Sequence, residues 1–156
     1  MDQYAEDECS ALLAIRIIGR KWVPWIICEL ISKSELYFSD LLNRIEGNYG
    51  EKISARVLSE CLSRLEEGDL VERIVESDTM PIRVKYSLTE KGLDLQVIFA
   101  VLKGWGLKWG TIKQKKCRSF SCIHNCIPII DIDKASELFT IKVSHEASPE
   151  KLHDST

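Results

Sequence analysis

Apolar residues recur at helical spacing near the start of the chain and predict two amphipathic helices. The first is predicted from about Cys9 to Ile18, with Gly19 as its C-terminal stop. The second is predicted from Lys21 to Ile31, with Pro24 in its first turn, where proline is tolerated. Each helix carries an apolar stripe, so both are expected to pack into one core.

Two further helices, each with a serine at its start, are predicted next. Ser39 is predicted to be the N-cap of a short helix that ends near Gly47, and residues 47–50 are predicted to form a turn. Ser54 is predicted to cap another helix, which extends to Glu67. The apolar positions of this helix share one face: Val57, Leu58, Cys61, Leu62 and Leu65.

The pattern then changes to that of a β-hairpin. Residues 70–75 are rich in strand-forming side chains, residues 77–81 suit a turn, and residues 82–88 alternate between apolar and polar. Thr89 is predicted to cap a final long helix through Trp105. The sequence therefore predicts a mainly α fold with a small antiparallel β-hairpin, in the element order of a winged helix-turn-helix.

Length and composition fit one domain in a reducing compartment. The chain has 156 residues, of which 45% are hydrophobic and 29% charged. Its longest apolar stretches, residues 22–28 and 97–102, fall short of the roughly 18–20 residues that span a bilayer. The first eight residues are acidic, unlike a signal peptide. We therefore expect a cytoplasmic protein with no membrane partner, whose six cysteines are thiols or metal ligands.

The net charge of −3 hides an uneven distribution. Residues 103–118 carry six basic and no acidic side chains, whereas residues 131–156 carry six acidic and three basic ones. Residues 52–91, which hold the second capped helix and the hairpin, carry seven basic and eight acidic side chains. Because this region is mixed, its net charge does not distinguish a DNA-binding surface from a solvated one.

The second helix of a helix-turn-helix can lie in the DNA major groove while the hairpin reaches the flanking backbone. The polar face after Ser54 offers side chains that can contact bases or phosphates: Arg56, Ser59, Ser63 and Arg64. The helix starts at Ser39 and Ser54 expose amides that suit phosphate. The hairpin adds cations for phosphate contacts: Arg73, Arg83 and Lys85. Double-stranded DNA is therefore the expected partner.

Five segments carry a more specific pattern: IGRKW at 18–22, FSDL at 38–41, ISARVL at 53–58, LSRLEEGDLVER at 62–73 and VKYSLTEKG at 84–92. In this order and spacing they resemble the HxlR family of winged helix-turn-helix transcription regulators, over roughly residues 9–109. The resemblance implies a homodimer, paired through the N-terminal helix and the long helix after the hairpin. It also implies a roughly two-fold operator with half-sites about one DNA turn apart.

Three features depart from the family pattern. Ser10 stands where proline usually follows the cysteine at Cys9, and residues 48–52 lengthen the turn before the second capped helix. Tyr37 replaces a basic residue that would contact phosphate. We expect the longer turn to alter the angle of the recognition helix in the groove.

Cys9 matches the N-terminal cysteine with which many HxlR-like regulators sense oxidants, and it is the redox candidate. Its neighbours Asp7 and Glu8 disfavour a thiolate, so a plain surface or interface cysteine remains an alternative. Cys28 and Cys61 lie on apolar helical faces and are predicted to be structural.

A second cysteine group lies near the C-terminus. Its candidate metal ligands are Cys117, Cys122, His124 and Cys126, the residue types that bind zinc tetrahedrally. A disulfide or redox pair and unligated thiols are alternatives, and no run matches an iron–sulfur site. We predict that the protein requires no cofactor, and that zinc is the candidate ion if these side chains bind a metal.

The sequence predicts three regions. Residues 9–110 form the winged helix-turn-helix, residues 111–145 a cysteine-containing extension and residues 146–156 a disordered tail.

The chain carries no glycine-rich phosphate loop, His-Glu-x-x-His or Gly-x-Ser-x-Gly motif, and we predict that it is not an enzyme. Two alternatives to a constitutive DNA-binding regulator stay open. One is a winged helix that binds protein, and the other is a regulator that responds to metal or redox state through the C-terminal cysteines.

Overall fold

The computed structural model describes residues 9–110, so the predicted extension at 111–145 and tail at 146–156 lie outside the described residues. Five helices and three strands fill the described residues. They are α1 (Ser10–Ile18), α2 (Val23–Lys33), β1 (Glu35–Tyr37), α3 (Phe38–Tyr49), α4 (Ala55–Glu67), β2 (Val71–Glu76), β3 (Arg83–Leu88) and α5 (Glu90–Trp109). The prediction of a mainly helical fold with a hairpin is confirmed.

The core is built around α2, which is buried over most of its length. Leu41 and Ile45 of α3 pack into the same cluster, together with Tyr86 and Leu88 of β3. Leu62 and Leu65 of the predicted apolar face are buried, as are Leu41 and Tyr86, and Trp22 and Trp25 are half-buried against the core. The apolar stripes therefore serve one core, as their helical spacing predicted.

The sheet has a third strand that the sequence pattern did not reveal. The strand order is β1-β3-β2 and both pairings are antiparallel. Leu36 of β1 pairs with Tyr86, and Tyr86 pairs on its other side with Arg73. With only three residues, β1 is too short to show the alternation by which a strand is recognised.

The start of α3 corrects the prediction that Ser39 is an N-cap. The cap position belongs to Tyr37, whose extended backbone (φ −69°, ψ 155°) ends β1, and its side chain makes no capping hydrogen bond. Ser39 instead lies exposed in the first turn of the helix. Strand pairing has already fixed the backbone of Tyr37 as extended, so the helix can begin directly at Phe38 without a capping side chain.

The end of α3 corrects a second prediction. The helix does not stop near Gly47 but continues to Tyr49, and Gly50 takes the left-handed conformation (φ 69°) that ends it. The additional turn packs on α2: the Asn48 amide donates to Glu29 at 2.6 Å, and the Tyr49 ring stacks on Trp25 at 4.7 Å between centroids. These contacts hold the chain helical where a turn was predicted.

The long helix α5 docks on the turn between α4 and β2. Thr89 caps it as predicted, because its hydroxyl accepts from the Gly92 amide at 3.1 Å. The same hydroxyl donates to the Asp69 carbonyl at 2.6 Å. None of the helices within residues 9–110 combines the length and the apolar character that crossing a membrane requires.

Candidate nucleic-acid interface

The helix α4 forms as the sequence predicts and turns one polar face outward. Ser54 is its N-cap, and its hydroxyl accepts from the Val57 amide at 3.2 Å. Three leucines fix the rotation of the helix by packing into the core: Leu58, Leu62 and Leu65. The opposite face is therefore open to solvent, and it follows α3 directly, as the second helix of a helix-turn-helix does.

The outward face of α4 presents Arg56, Ser59, Glu60 and Ser63 as exposed side chains. The Arg56 side chain is 87% exposed, and its Nε donates to the Glu60 carboxylate one turn further on, at 3.0 Å. An exposed pair of this kind is held by well under about 1 kcal/mol, so a stronger acceptor can displace the carboxylate. Glu60 is a member of this face that the predicted site left out, although it is visible in the sequence four residues after Arg56.

Arg64 is also exposed but lies toward the edge of this face. At 100° per residue it is rotated toward Cys61, away from the line of Ser59 and Ser63. It lines a cavity between α1 and α4 that also contacts Cys61. Arg56, Ser59 and Ser63 are thus grouped, and Arg64 stands apart from them.

Ion pairs within the sheet engage Lys85, one of the predicted phosphate-binding cations. The Lys85 ammonium contacts Glu76 at 2.6 Å and Glu35 at 3.1 Å, and only 20% of its side chain is exposed. The Tyr37 hydroxyl donates to the other Glu76 oxygen at 2.9 Å. The hydrogen bonds from Lys85 and Tyr37 lower the pKa of Glu76, and those carboxylates raise the pKa of Lys85. Lys85 therefore links β3 to its two neighbouring strands.

The other two predicted hairpin cations differ in their surroundings. The Arg83 guanidinium lies over the Tyr37 ring, 4.6 Å from its centroid, and Arg73 is exposed on β2. Between them, the tip from Ser77 to Ile82 carries no basic side chain, and Met80 is almost fully exposed there. The sequence pattern marks Tyr37 only as the replacement of a basic residue. Its position before α3 places it in β1, where it meets the hairpin.

The described cysteines occupy three environments. Cys9 is exposed immediately before α1, Cys28 is buried in the core, and Cys61 is half-buried. Burial raises the pKa of the Cys61 thiol. Cys28 therefore fits the predicted structural role, while Cys61 belongs to a cavity wall.

The candidate metal ligands predicted from the sequence lie outside the described residues. They are Cys117, Cys122, His124 and Cys126. Within residues 9–110, no three side chains of the metal-ligating types come together.

The geometry defines the class of protein. A helix pair with its second helix facing outward, followed by a hairpin packed beside it, is the winged helix-turn-helix arrangement. The family model described as HxlR-like helix-turn-helix matches residues 17–114, and the chain belongs to this family. Members of the family and the relatives of this chain are transcriptional regulators rather than enzymes. The protein is therefore a helix-turn-helix transcriptional regulator. The prediction that it is not an enzyme is confirmed.

Known proteins with similar sequence or structure agree with this assignment. An HTH-type transcriptional regulator of Methanothermobacter thermautotrophicus is 37% identical over 112 residues, which cover 70% of this chain and 80% of the relative. The reduced form of the Bacillus subtilis regulator YodB superposes with a TM-score of 0.57 at 31% identity, covering 66% of this chain and 95% of YodB. The redox regulator HypR in its oxidised form gives a TM-score of 0.55 at 29% identity, covering 67% and 100%.

Proposed function

We propose that this regulator binds double-stranded DNA sequence-specifically, as a homodimer in the cytoplasm. The observation that carries the proposal is the orientation of α4: three buried leucines and the Ser54 cap leave Arg56, Ser59 and Ser63 exposed on its other side. Arginine can contact guanine with two hydrogen bonds, and serine can reach bases or phosphates.

The remaining predicted residues take backbone roles in this proposal. The first turns of α3 and α4, at Ser39 and Ser54, offer unpaired amides to phosphates. Arg73 and Arg83 contact the flanking backbone from the hairpin, and Arg64 contacts phosphate at the edge of the groove. Lys85 acts mainly by holding the hairpin in place, since two carboxylates already engage it.

The homodimer is supported by apolar side chains that the described residues leave uncovered. Leu12 and Ile15 of α1 are more than half exposed, and several large side chains of α5 are also exposed. The exposed α5 residues of this kind are Leu93, Val97, Ile98, Leu102, Trp105 and Trp109. Large apolar side chains exposed on two helices suit a helical interface between two copies.

The test is a DNA-binding salt series with the full chain. Duplexes enriched from a random library by the protein are compared with scrambled duplexes, by fluorescence anisotropy between about 50 and 200 mM NaCl. We expect a preference of at least about 1,000-fold for the enriched sequence, with affinity falling steeply as salt rises. Equal and weak binding to every duplex would contradict the proposal and favour the protein-binding winged helix.

A redox-responsive version of the same function is a second candidate. It is favoured by the exposure of Cys9 at the start of α1, a helix with uncovered apolar side chains, and by the likeness to a redox regulator. Operator affinity is measured before and after diamide treatment, in the wild type and in Cys9→Ser. A loss of affinity confined to the wild type supports Cys9 as the redox sensor, whereas a loss in both proteins points to the C-terminal cysteines.

Elemental analysis of the purified protein tests whether zinc binds at the C-terminal candidate ligands, which are Cys117, Cys122, His124 and Cys126.

A further inference from the structure

A cavity of about 770 Å³ lies between α1, α4 and the start of α5, apart from the outward face of α4. Its apolar wall comes from three regions of the chain: Leu13 and Ile17 of α1, Val23 of α2, and Leu65 and Leu70 at the end of α4. A volume of this size matches the pockets that hold small organic molecules and exceeds what an inorganic ion needs.

The polar groups of the cavity are predominantly cationic. Arg20, Arg64 and Lys91 line it, against a single carboxylate at Glu67. Lys91 is fixed at the rim because its ammonium donates to the Gly68 carbonyl at 2.7 Å. Three cationic residues and one carboxylate in a lining that is otherwise mostly apolar favour an occupant with a negative charge and an apolar body.

The Cys61 thiol forms part of the wall and argues for reversible binding. Burial raises its pKa, the Arg64 and Arg20 guanidiniums act in the opposite direction, and the Glu60 carboxylate raises the pKa further. The thiol is therefore mostly protonated at neutral pH, and the thiolate is the nucleophilic form.

The cavity is separate from the apolar surface proposed for the dimer. Leu13 and Ile17 are four residues apart on α1 and so share the side that lines the cavity, whereas Leu12 and Ile15 point away from it and are exposed. One face of α1 is thus available to a partner copy while the other lines the cavity.

We propose that this cavity binds a small organic anion, with its apolar body against the leucine and isoleucine side chains and its charge between Arg20 and Arg64. Because Arg64 also flanks the outward face of α4, an occupant would compete with a DNA phosphate for this side chain. That regulatory consequence rests on the proposed function, whereas binding of the anion does not.

The experiment titrates the full chain with 8-anilinonaphthalene-1-sulfonate, an apolar fluorescent anion, without DNA. The neutral analogue N-phenyl-1-naphthylamine reports apolar binding that is independent of charge. We expect saturable binding of the sulfonate that weakens about fivefold in Arg20→Gln, as for a partly exposed charge contact. The neutral analogue should be unaffected, and Lys52→Gln, which alters an exposed lysine elsewhere, should bind both probes as the wild type does.

The position of the probe is read from Cys61 itself. Peptide mass spectrometry follows the carbamidomethylation of Cys61 and Cys9 in the same sample, and the sulfonate should slow the reaction at Cys61 several-fold while leaving Cys9 unchanged. Cys61→Phe, which narrows the cavity, should weaken saturable binding of both probes. If Arg20→Gln binds the sulfonate like the wild type and Cys61 stays unprotected, the probe lies on another surface and the proposal is wrong. Because no DNA is present, this outcome is independent of whether the protein binds an operator.

Discussion

Arg56 is held in the free protein by the Glu60 carboxylate at 3.0 Å, one turn further along α4. The pair gives the guanidinium an acceptor that guanine would replace in the proposed interface. Glu60 also contributes a negative charge to the proposed interface, which disfavours phosphate and favours base amino groups such as that of cytosine. The two side chains thus bear on specificity more than on affinity.

Replacing Arg56 by alanine should reduce operator discrimination by about 1–3 kcal/mol and leave the fold intact. The matched control is Glu60→Gln, which breaks the same ion pair but keeps the guanidinium, and which should retain a preference for the guanine-containing site. Anisotropy with single-base operator variants measures both. If Arg56→Ala discriminates as the wild type does, Arg56 does not read a base.

A second charged group lies inside the molecule. The Glu29 carboxylate is almost completely buried, and it accepts from Arg44 Nε and Asn48 Nδ2, each at 2.6 Å. Both donors lie on α3, so this cluster fixes the first helix of the pair against α2. A buried charge that loses its partner is far more costly than a lost surface pair.

The Arg44→Ala variant should lower the free energy of unfolding by about 3 kcal/mol, because Glu29 would stay buried without its cation. In contrast, Lys52→Ala removes an exposed partner of Glu46 and should cost under about 0.5 kcal/mol. Urea denaturation at one fixed protein concentration compares them. The double variant Glu29→Met with Arg44→Met should recover most of the loss, and a failure to recover would assign the effect to packing.

The residues that the sequence identified well are those whose role depends on near neighbours. Ser54 and Thr89 cap their helices through amides three residues away, so their roles are visible in a short window. The engagement of Lys85 by Glu35 spans fifty positions and depends on strand register, which no short window contains. The ion pairs of Lys85 therefore could not be predicted from the local sequence.

Helix α3 shows the same limit for a whole element. Its start is set by strand pairing at Tyr37 and its end by packing of Asn48 and Tyr49 on α2. Glycine at position 47 is a reasonable local stop, but tertiary contacts outweigh its low helix propensity. The first residues of the predicted insertion therefore extend the helix, which carries the chain toward Ser54.

Two glycine substitutions test where α3 ends. Gly47→Ala should raise the free energy of unfolding by about 0.5–1 kcal/mol, because the position is helical and a Cβ there meets nothing within 4 Å. Gly50→Ala should lower it by about 1 kcal/mol, because position 50 has a positive φ of 69°. Thermal or urea unfolding distinguishes the two, and a helix that ended at position 47 would give the opposite order.

For the whole domain, the order of helices and the hairpin could be read from hydrophobic periodicity, and the winged helix-turn-helix followed from that order. Hydrophobic periodicity did not predict which residues of α5 face the core and which face the proposed interface. Its apolar positions go all round the helix, with Leu95 and Phe99 buried and Ile98 and Leu102 exposed. A pattern that is apolar on every side does not indicate which neighbour covers each face.

The exposed stripe of α5 makes a specific prediction about assembly. Ile98, Leu102, Trp105 and Trp109 recur at intervals of four, three and four residues, which aligns them along one side of the helix. Leu102 lies within this row, so Leu102→Glu should place a charge inside the proposed interface and weaken dimerisation by at least about 2 kcal/mol, or about 30-fold. Sedimentation velocity over a concentration series measures the effect.

The matched control for this variant is Ile82→Glu, which puts the same charge on a comparably exposed apolar side chain at the hairpin. Ile82 is remote from α1 and α5 in the proposed pairing, so the control should sediment as the wild type does. A regulator that reads a two-fold operator with one helix per half-site needs both copies, and Leu102→Glu should therefore lose operator affinity together with the dimer. A variant that stays dimeric would move the interface away from α5, and a monomeric wild type that still discriminates operators would remove the homodimer from the mechanism.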